Sequence, residues 1–331
     1  MEERLFWVGL GMGFYAALVR ISLKRESWKT RLWAGVWHSM FWAGTGFALV
    51  MIITMSLDSR GNIPMQSISA LNHRSLLYGC VAAAAGAVWG FFRIYAQGAE
   101  LEERETMLSN DLEWADTFFS AVLLASFLMY FVLQAFKIPS GSMRATLLEG
   151  DHLFVNKFIY GIRIPMTSTR LARWKKVERG DVVVFRFPTD DTEEVHCGNK
   201  QYGKDFIKRA IGLPGDKVEV KNGVVFVNDK PLLHEAYTQT VDAQRQPSSP
   251  VRLDPDRYQN LWQDHQLDQT LGDATRDFFG PVKLPADEYF VMGDNRDRSC
   301  DSRFWGPVAD RFLKGKAWFI YWPPDRIKGV E

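Results

Sequence analysis

Cysteine is scarce in this sequence, with three residues in a chain of 331. Cys80 lies inside an apolar run, which leaves Cys197 and Cys300 in the polar part of the chain. There is no Cys-x-x-Cys pair and no Cys/His cluster, so the pattern predicts neither a metal site nor a cofactor. In an exported domain the two remaining cysteines could pair, or each could be a buried free thiol.

An excess of one charge is also missing. Lys and Arg number 40 against 39 for Asp and Glu, a net charge of +1, which gives no electrostatic basis for binding nucleic acid. Internal repeats, low-complexity tracts and a Gly-x-Ser-x-Gly motif are absent as well. A Ser-His-Asp triad still has to be considered, because the polar part contains His152, His196, His234 and His265.

Apolar residues are concentrated in the first 136 positions. Their runs are long enough to predict about four membrane spans, near residues 5–22, 32–57, 76–96 and 114–136. Basic residues are densest between the first two runs, from Arg20 to Arg31, so this loop should stay in the cytoplasm. Alternation of the later spans then places residues 137–331 outside, as an exported domain.

The exported part has the pattern of a mostly β domain. Asp181–Phe187 is rich in β-branched and aromatic residues, and Asn222-Gly223 is a hairpin signal between two short apolar runs. Residues 234–280 are polar with weak periodicity, which predicts a smaller inserted subdomain or a long loop. The predicted fold class is therefore a mostly β catalytic domain with an insertion, preceded by an α-helical membrane region.

Two residues are candidates for nucleophilic chemistry. Ser142 lies in Ser-Gly-Ser-Met, a few residues after the last predicted span, although such serines often only form turns. A hydroxyl needs a base, and a lysine whose pKa is lowered by burial can serve. Lys208 lies in a largely apolar predicted strand and is the candidate, unless its side chain simply points to solvent.

Four motifs in order give these candidates a family context. They are Ser-Gly-Ser-Met at 140–143, Gly-Asp-His-Leu-Phe-Val-Asn-Lys at 150–157, Lys-Arg-Ala-Ile-Gly-Leu-Pro-Gly-Asp at 208–216, and Gly-Asp-Asn-Arg-Asp-Arg-Ser-Cys-Asp-Ser-Arg at 293–303. The series resembles type I signal peptidase from about Phe136 to Ile320. The resemblance implies a serine endopeptidase of the bacterial plasma (inner) membrane, with its catalytic domain on the extracytoplasmic, periplasmic side. It also implies that the enzyme removes signal peptides from exported preproteins.

The resemblance assigns roles position by position. It implies Ser142 as nucleophile, Lys208 as general base, Ser140 with the Ser142 N–H as the oxyanion site, and Ser299 as a residue that orients the lysine amine. It implies support of the site by Asp294, Asp301 and Arg303, including an Asp301–Arg303 pair. The residues that it implies as substrate-pocket walls are Phe136, Ile138, Pro139, Met143, Leu147, Leu153, Val184, Phe206 and Ile207.

Two departures from the family pattern and two rival functions accompany this interpretation. Ala145 stands where the family commonly has proline, which is expected to loosen the loop, and about four spans replace the more usual one or two. The expected partners are signal peptides, the lipid bilayer and, by location, the protein export machinery, but no nucleic acid. The rivals are an inactive membrane-anchored binding homologue and a maturation peptidase dedicated to one substrate.

Overall fold

The computed structural model describes residues 29–60, 68–97, 100–163, 170–232, 236–242, 244–245 and 253–330, with a few positions between 13 and 25. Two compact units make up the chain, Met1–Tyr130 and Phe131–Glu331, and each is described by itself. The predicted first span, 5–22, falls largely outside the described residues.

The first unit is helical. Its described helices are α1 Arg31–Arg60, α2 Ile68–Gln97 and α3 Leu101–Phe127. Helices α1 and α2 approach closely: a Cβ added to Gly86 would lie 2.3 Å from the Trp42 carbonyl oxygen, and one added to Gly90 would lie 2.8 Å from that of His38. Small residues at a helix crossing allow such contact, as in packed membrane helices.

One helical segment among the described residues, Leu77–Gln97, has the length and hydropathy needed to cross a membrane. Several of its apolar side chains, including Val81, Val88 and Phe92, are exposed. The predicted fourth span, 114–136, needs a correction at its end. The helical chain ends with a π-turn at Leu128–Val132, and the residues from Leu133 onward form a strand. Hydropathy alone does not distinguish a short apolar strand from the end of a helix.

The second unit is mostly β, as predicted. Its strands are β1 Leu133–Lys137, β2 His152–Asn156, β3 Ile162–Arg163, β4 Arg170–Leu171, β5 Val182–Arg186, β6 Val195–His196, β7 Asn199–Lys200, β8 Asp205–Gly212, β9 Lys217–Lys221, β10 Val224–Val227, β11 Lys230–Pro231, β12 Phe279–Lys283, β13 Glu288–Met292, β14 Val308–Ala309, β15 Leu313–Trp322 and β16 Lys328–Gly329. The main sheet is antiparallel in the order β1-β2-β15-β5-β8-β13-β14, and β16 pairs with β15.

A smaller sheet is inserted between β8 and β13. Its order is β11-β10-β9-β12, so it begins well before the predicted 234–280 segment. Asn222-Gly223 forms the turn between β9 and β10. This hairpin belongs to the smaller sheet because β9 also pairs with β12. The insertion also contains helices α4 Pro255–Gln263 and α5 Leu267–Leu271. Helix α4 is only nine residues long, too short for a clear periodic signal, and the Asp254 side chain caps it by accepting from the Arg257 N–H.

The two faces of the main sheet position the site. On one face, Val183 and Phe185 of β5 pack in a core with Trp305, which belongs to the short helix α6 Ser302–Trp305. On the other face, Val182 and Val184 pack with apolar residues that follow β1. Because strand side chains alternate between faces, neighbouring residues of β8 contribute to different cores.

A disulfide between Cys197 and Cys300 resolves the question that the sequence left open. Their Cα atoms are 6.3 Å apart, and the bond joins the β6–β7 hairpin to the segment that precedes α6. Cys80 is free and exposed.

Candidate active site

Ser142 lies in a single 3-10 turn, Gly141–Met143, that follows β1. The turn is held by Asn295, whose backbone N–H donates to the Ser142 carbonyl at 3.1 Å and whose side-chain amide donates to the Gly141 carbonyl at 3.1 Å. Ser142 is 8% exposed. The hydroxyl is therefore held on a fixed turn with little access to water.

Lys208 approaches this hydroxyl from β8. Its Nζ donates a hydrogen bond to the Ser142 Oγ at 2.7 Å, and the residue is 3% exposed. The Phe206 ring lies on the same face of β8, with its centroid 5.6 Å from the amine. Asp205, three residues before Lys208 on the same strand, pairs with Lys314 at 2.9 Å. The lysine therefore has no carboxylate in direct contact among the described residues.

Burial lowers the pKa of Lys208 from 10.5 to about 8, because the charged amine loses its hydration. The carboxylates of Asp301 and Asp294 act in the opposite direction, and the Arg303 guanidinium acts with burial. Each carboxylate has its own arginine, so neither is a bare charge facing the lysine. The balance leaves an amine that can be neutral near physiological pH.

The Asp301–Arg303 pair is close enough to Lys208 for both of its charges to act on the lysine pKa. Arg303 donates from Nε and Nη2 to the two Asp301 oxygens at 2.8 Å each, and both side chains are buried. Asp301 also accepts from the Gly293 N–H at 3.1 Å. Burial alone would raise the pKa of Asp301, but Arg303 keeps it below its usual value. The pair expected from the resemblance is therefore present in the structure.

Comparison with known proteins gives the family. The family described as "Signal peptidase, peptidase S26" matches residues 111–322, a range that contains both dyad residues. The chain belongs to the signal peptidase family. Signal peptidase I of Pseudomonas aeruginosa is 32% identical over 249 residues, covering 66% of this chain and 76% of that protein. The probable signal peptidase I-2 of a Synechocystis species is 37% identical over 216 residues, covering 65% and 75%.

A solved structure of a signal peptidase I from Enterococcus faecalis is 27% identical and covers 43% of this chain and 97% of that one. The TM-score of 0.24 is too low for the superposition to carry an argument. The family assignment therefore depends on sequence.

Among the residues that the family resemblance implied, Asp294 has a defined structural partner. Arg209 donates to its two carboxylate oxygens at 2.9 and 2.8 Å, and the same guanidinium donates to the Thr146 hydroxyl at 3.0 Å. This network connects β8 to the loop that follows Ser142. Arg209 belongs to the motif at 208–216, but the family resemblance assigned it no role.

The two auxiliary serines differ in their surroundings. Ser140 has extended backbone and an exposed side chain, so its hydroxyl is accessible to a ligand. Ser299 is buried, and its hydroxyl interacts with the Asp301 carboxylate, whose pKa it helps to lower; among the described residues no hydrogen bond joins it to the Lys208 amine. A Cβ added to Gly293 would lie 2.2 Å from the Ser299 Oγ and 2.5 Å from the Ser142 carbonyl oxygen. Only glycine fits between the two serines.

Most expected pocket residues form one apolar group, here called the pocket core. It contains Phe136, Ile138, Met143, Leu147, Leu153, Val184 and Ile207. Two others lie elsewhere: Pro139 is exposed, and Phe206 packs in the opposite core with Phe185, Phe187 and Trp305. Phe206 is separated from Ile207 because adjacent strand residues face opposite sides. At this position the Phe206 ring helps to bury Lys208 and does not belong to the pocket core.

The loop at Ala145 differs from the expectation that it is loosened. Ala145 has a φ of 84°, a value that proline does not adopt. The loop is closed instead by backbone hydrogen bonds from Thr146 and Leu147 to the Met143 carbonyl, at 3.1 and 2.8 Å. The Thr146 hydroxyl also donates to Asp294. Thr146, Asn295 and Gly293 were not singled out from the sequence, although two of them lie in the motif at 293–303.

Proposed function

We propose that this chain is a signal peptidase that cleaves N-terminal signal peptides from exported preproteins. The observation that carries the proposal is the 2.7 Å contact between a buried lysine amine and the Ser142 hydroxyl. A serine is activated as a nucleophile by a base that is neutral and within hydrogen-bond reach, and a desolvated lysine meets both requirements. No metal or cofactor enters the reaction.

The chemistry is acyl transfer in two steps. Neutral Lys208 takes the Ser142 proton as Oγ attacks the scissile carbonyl carbon, and the oxyanion is met by the Ser142 N–H and the Ser140 hydroxyl. The protonated lysine then gives its proton to the departing amine of the mature protein, which leaves the signal peptide as an ester on Ser142. Water, deprotonated by the same lysine, hydrolyses this ester and restores the free serine.

Substrate would bind as an added strand. The strand β1 is at the edge of the main sheet, so its outer backbone groups are available for pairing with an extended peptide. The pocket core contains Met143, the neighbour of Ser142, and Ile207, the neighbour of Lys208, so its apolar side chains would line shallow space next to the scissile bond. Small side chains at the first and third positions before the cut would fit such space, since alternate residues of a strand face the same side.

The membrane region and its direction are part of the proposal. Spans near 5–22, 32–57 and 76–96 and a fourth beginning near 114 would anchor the catalytic unit at the periplasmic face of the inner membrane. The exposed apolar side chains of α2 and the basic segment before α1 support this arrangement. The catalytic unit would then meet preproteins as they emerge from the export machinery.

Cysteine labelling of intact cells tests the direction. In a Cys80→Ser background, a cysteine at the exposed position Tyr202 should react with an impermeant reagent, and one at Ser27 should react only after permeabilisation. The reverse pattern would place the catalytic unit in the cytoplasm and contradict the proposed location.

Two narrower functions remain as rivals. An inactive homologue would keep the scaffold without the dyad contact, so the Lys208–Ser142 hydrogen bond favours an active enzyme. A peptidase dedicated to one preprotein would have the same chemistry, and only substrate range separates it from a general signal peptidase. A panel of unrelated preproteins decides between these two functions.

The test of the function is cleavage by the purified full-length protein in detergent. Wild type should release mature protein from several preproteins with one cut after a small-x-small sequence, and Ser142→Ala should leave them intact. Ser248→Ala, at a serine remote in sequence from every motif, is the matched control and should cleave like wild type. Cleavage that persists in Ser142→Ala would contradict the proposed nucleophile, and no cleavage of any preprotein by wild type would contradict the function.

A further inference from the structure

A second cluster of ionisable side chains lies outside the dyad. One carboxylate oxygen of Glu194 and one ring nitrogen each of His196 and His265 lie within 4.8 Å of one another. Glu194 and His196 lie at strand β6, and His265 follows α4 in the inserted part, so only the folded chain brings them together. This convergence is not visible in the sequence, where no ligand spacing predicts a metal site.

The ring of His196 is held in a defined orientation. The residue is fully buried, its Nδ1 lies 2.9 Å from an Asp268 carboxylate oxygen, and its Nε2 contacts the Glu194 carboxylate. In metal sites, a carboxylate usually accepts a hydrogen bond from one ring nitrogen of a histidine and so directs the other ring nitrogen at the metal. Asp268 therefore occupies the position of an orienting residue behind a ligand.

A simple ion-pair network does not explain why the His265 ring lies next to His196. A protonated His196 between Glu194 and Asp268 would satisfy those three side chains without a fourth. The His265 ring nevertheless lies 6.4 Å from the His196 ring, centroid to centroid, and its buried Nδ1 makes no hydrogen bond of normal length and angle among the described residues. A second imidazole is not needed to complete that ion pair, whereas a shared cation would use both rings as neutral ligands.

We propose that Glu194, His196 and His265 bind a divalent transition-metal ion such as Zn²⁺, with Asp268 orienting His196. Two imidazoles and one carboxylate form a donor set that suits zinc, whereas Ca²⁺ and Mg²⁺ prefer oxygen ligands. Zinc bonds of about 2.0–2.1 Å place tetrahedral ligand atoms about 3.3 Å apart, so small side-chain rotations bring the three atoms into position. A water molecule would complete the coordination.

The location indicates what the ion would do. His196 precedes Cys197, whose disulfide partner Cys300 lies between Ser299 and Asp301. An ion that joins β6 to the residues after α4 would give this hairpin a second link to the domain, beside the one that the disulfide makes to the segment at Cys300. A surface cavity of about 520 Å³ is lined in part by Val195 and Cys197, the neighbours of His196 in sequence, and by Asp268.

Metal binding to the chelator-treated, untagged full-length protein tests the site. Titration calorimetry with Zn²⁺ should give one ion per chain, and Co²⁺ should give the visible absorption of a four-coordinate site. Glu194→Gln and His265→Gln should each weaken the Kd for Zn²⁺ by at least about tenfold, and Asp268→Asn by about 10–100-fold. Glu193→Gln is the matched control: its side chain is exposed and pairs with Lys200, so its Kd should equal that of wild type.

Thermal unfolding separates lost binding from lost folding. Zn²⁺ should raise the Tm of wild type and Glu193→Gln, but not that of His265→Gln, and the metal-free proteins should unfold alike. Absence of stoichiometric binding by wild type, or equal weakening by Glu193→Gln and Glu194→Gln, would overturn the proposal. These measurements need no substrate, so their outcome is independent of the peptidase test.

Discussion

The pH dependence of cleavage follows directly from the burial of Lys208. As a base, the lysine acts only in its neutral form, and burial lowers its pKa from 10.5 to about 8. At pH 7 an ordinary lysine would be neutral in about 0.03% of molecules, whereas one with a pKa near 8 is neutral in about 10%. Burial therefore raises the active fraction at pH 7 about 300-fold.

The expected profile has a defined shape. Below the pKa of Lys208, kcat/KM should rise about tenfold per pH unit, because the neutral fraction of the free enzyme does. The rise should have its midpoint near pH 8 and reach a plateau by about pH 9. Because only the neutral amine can act as the base, kcat/KM should fall as the pH drops below the pKa of Lys208.

The assay is cleavage of one preprotein under kcat/KM conditions from about pH 6 to pH 10, with enzyme stability checked at each end. Lys208→Arg should be inactive throughout, because guanidinium stays protonated in this range. Lys230→Arg, at an exposed strand residue of the small sheet, should keep the wild-type profile. A rate that still climbs tenfold per unit beyond pH 9, a midpoint near the ordinary histidine pKa of ~6.5, or an active Lys208→Arg would refute the reasoning.

Two further predictions concern the surroundings of the dyad. Gly293→Ala should lower kcat about 100-fold or more, because its Cβ would lie 2.5 Å from the Ser142 carbonyl oxygen and displace the turn. Gly329→Ala, whose nearest heavy atom would be 4.0 Å away, should be close to wild type, and equal activity of the two variants would contradict the packing argument. Thiol counting on denatured, unreduced protein should find one free thiol, Cys80, and three would exclude the Cys197–Cys300 bond.

The sequence was sufficient for the β-rich class of the catalytic unit, because alternating β-branched strands and turn residues are local signals. It also singled out Ser142 and Lys208 as candidates, because they occur in motifs that resemble a known family. Local signals could not predict which residues distant in sequence contact one another in the folded chain. Arg209 and Asn295 belong to the motifs, but only the hydrogen bonds of the folded chain show that they hold the segment around Ser142 in place.

The misplaced features have the same cause. An apolar run extending to 136 was assigned to a helix although Leu133–Lys137 pairs with β2, since hydropathy does not report hydrogen-bond partners. The resemblance assigned both Phe206 and Ile207 to the pocket, although strand alternation sends their side chains to different cores. The cluster at His196 and His265 was invisible because its members are distant in sequence.

The most direct test of the central claim compares four proteins: wild type, Ser142→Ala, Lys208→Ala and the double variant. If the two residues act as one unit, each single variant should lower kcat/KM for a preprotein to the background level, and the double variant should be no lower. Far-UV circular dichroism of all four should be the same. Substantial cleavage by Lys208→Ala, together with loss of activity on substitution of His152 or His196, would show that lysine is not the base and contradict the account.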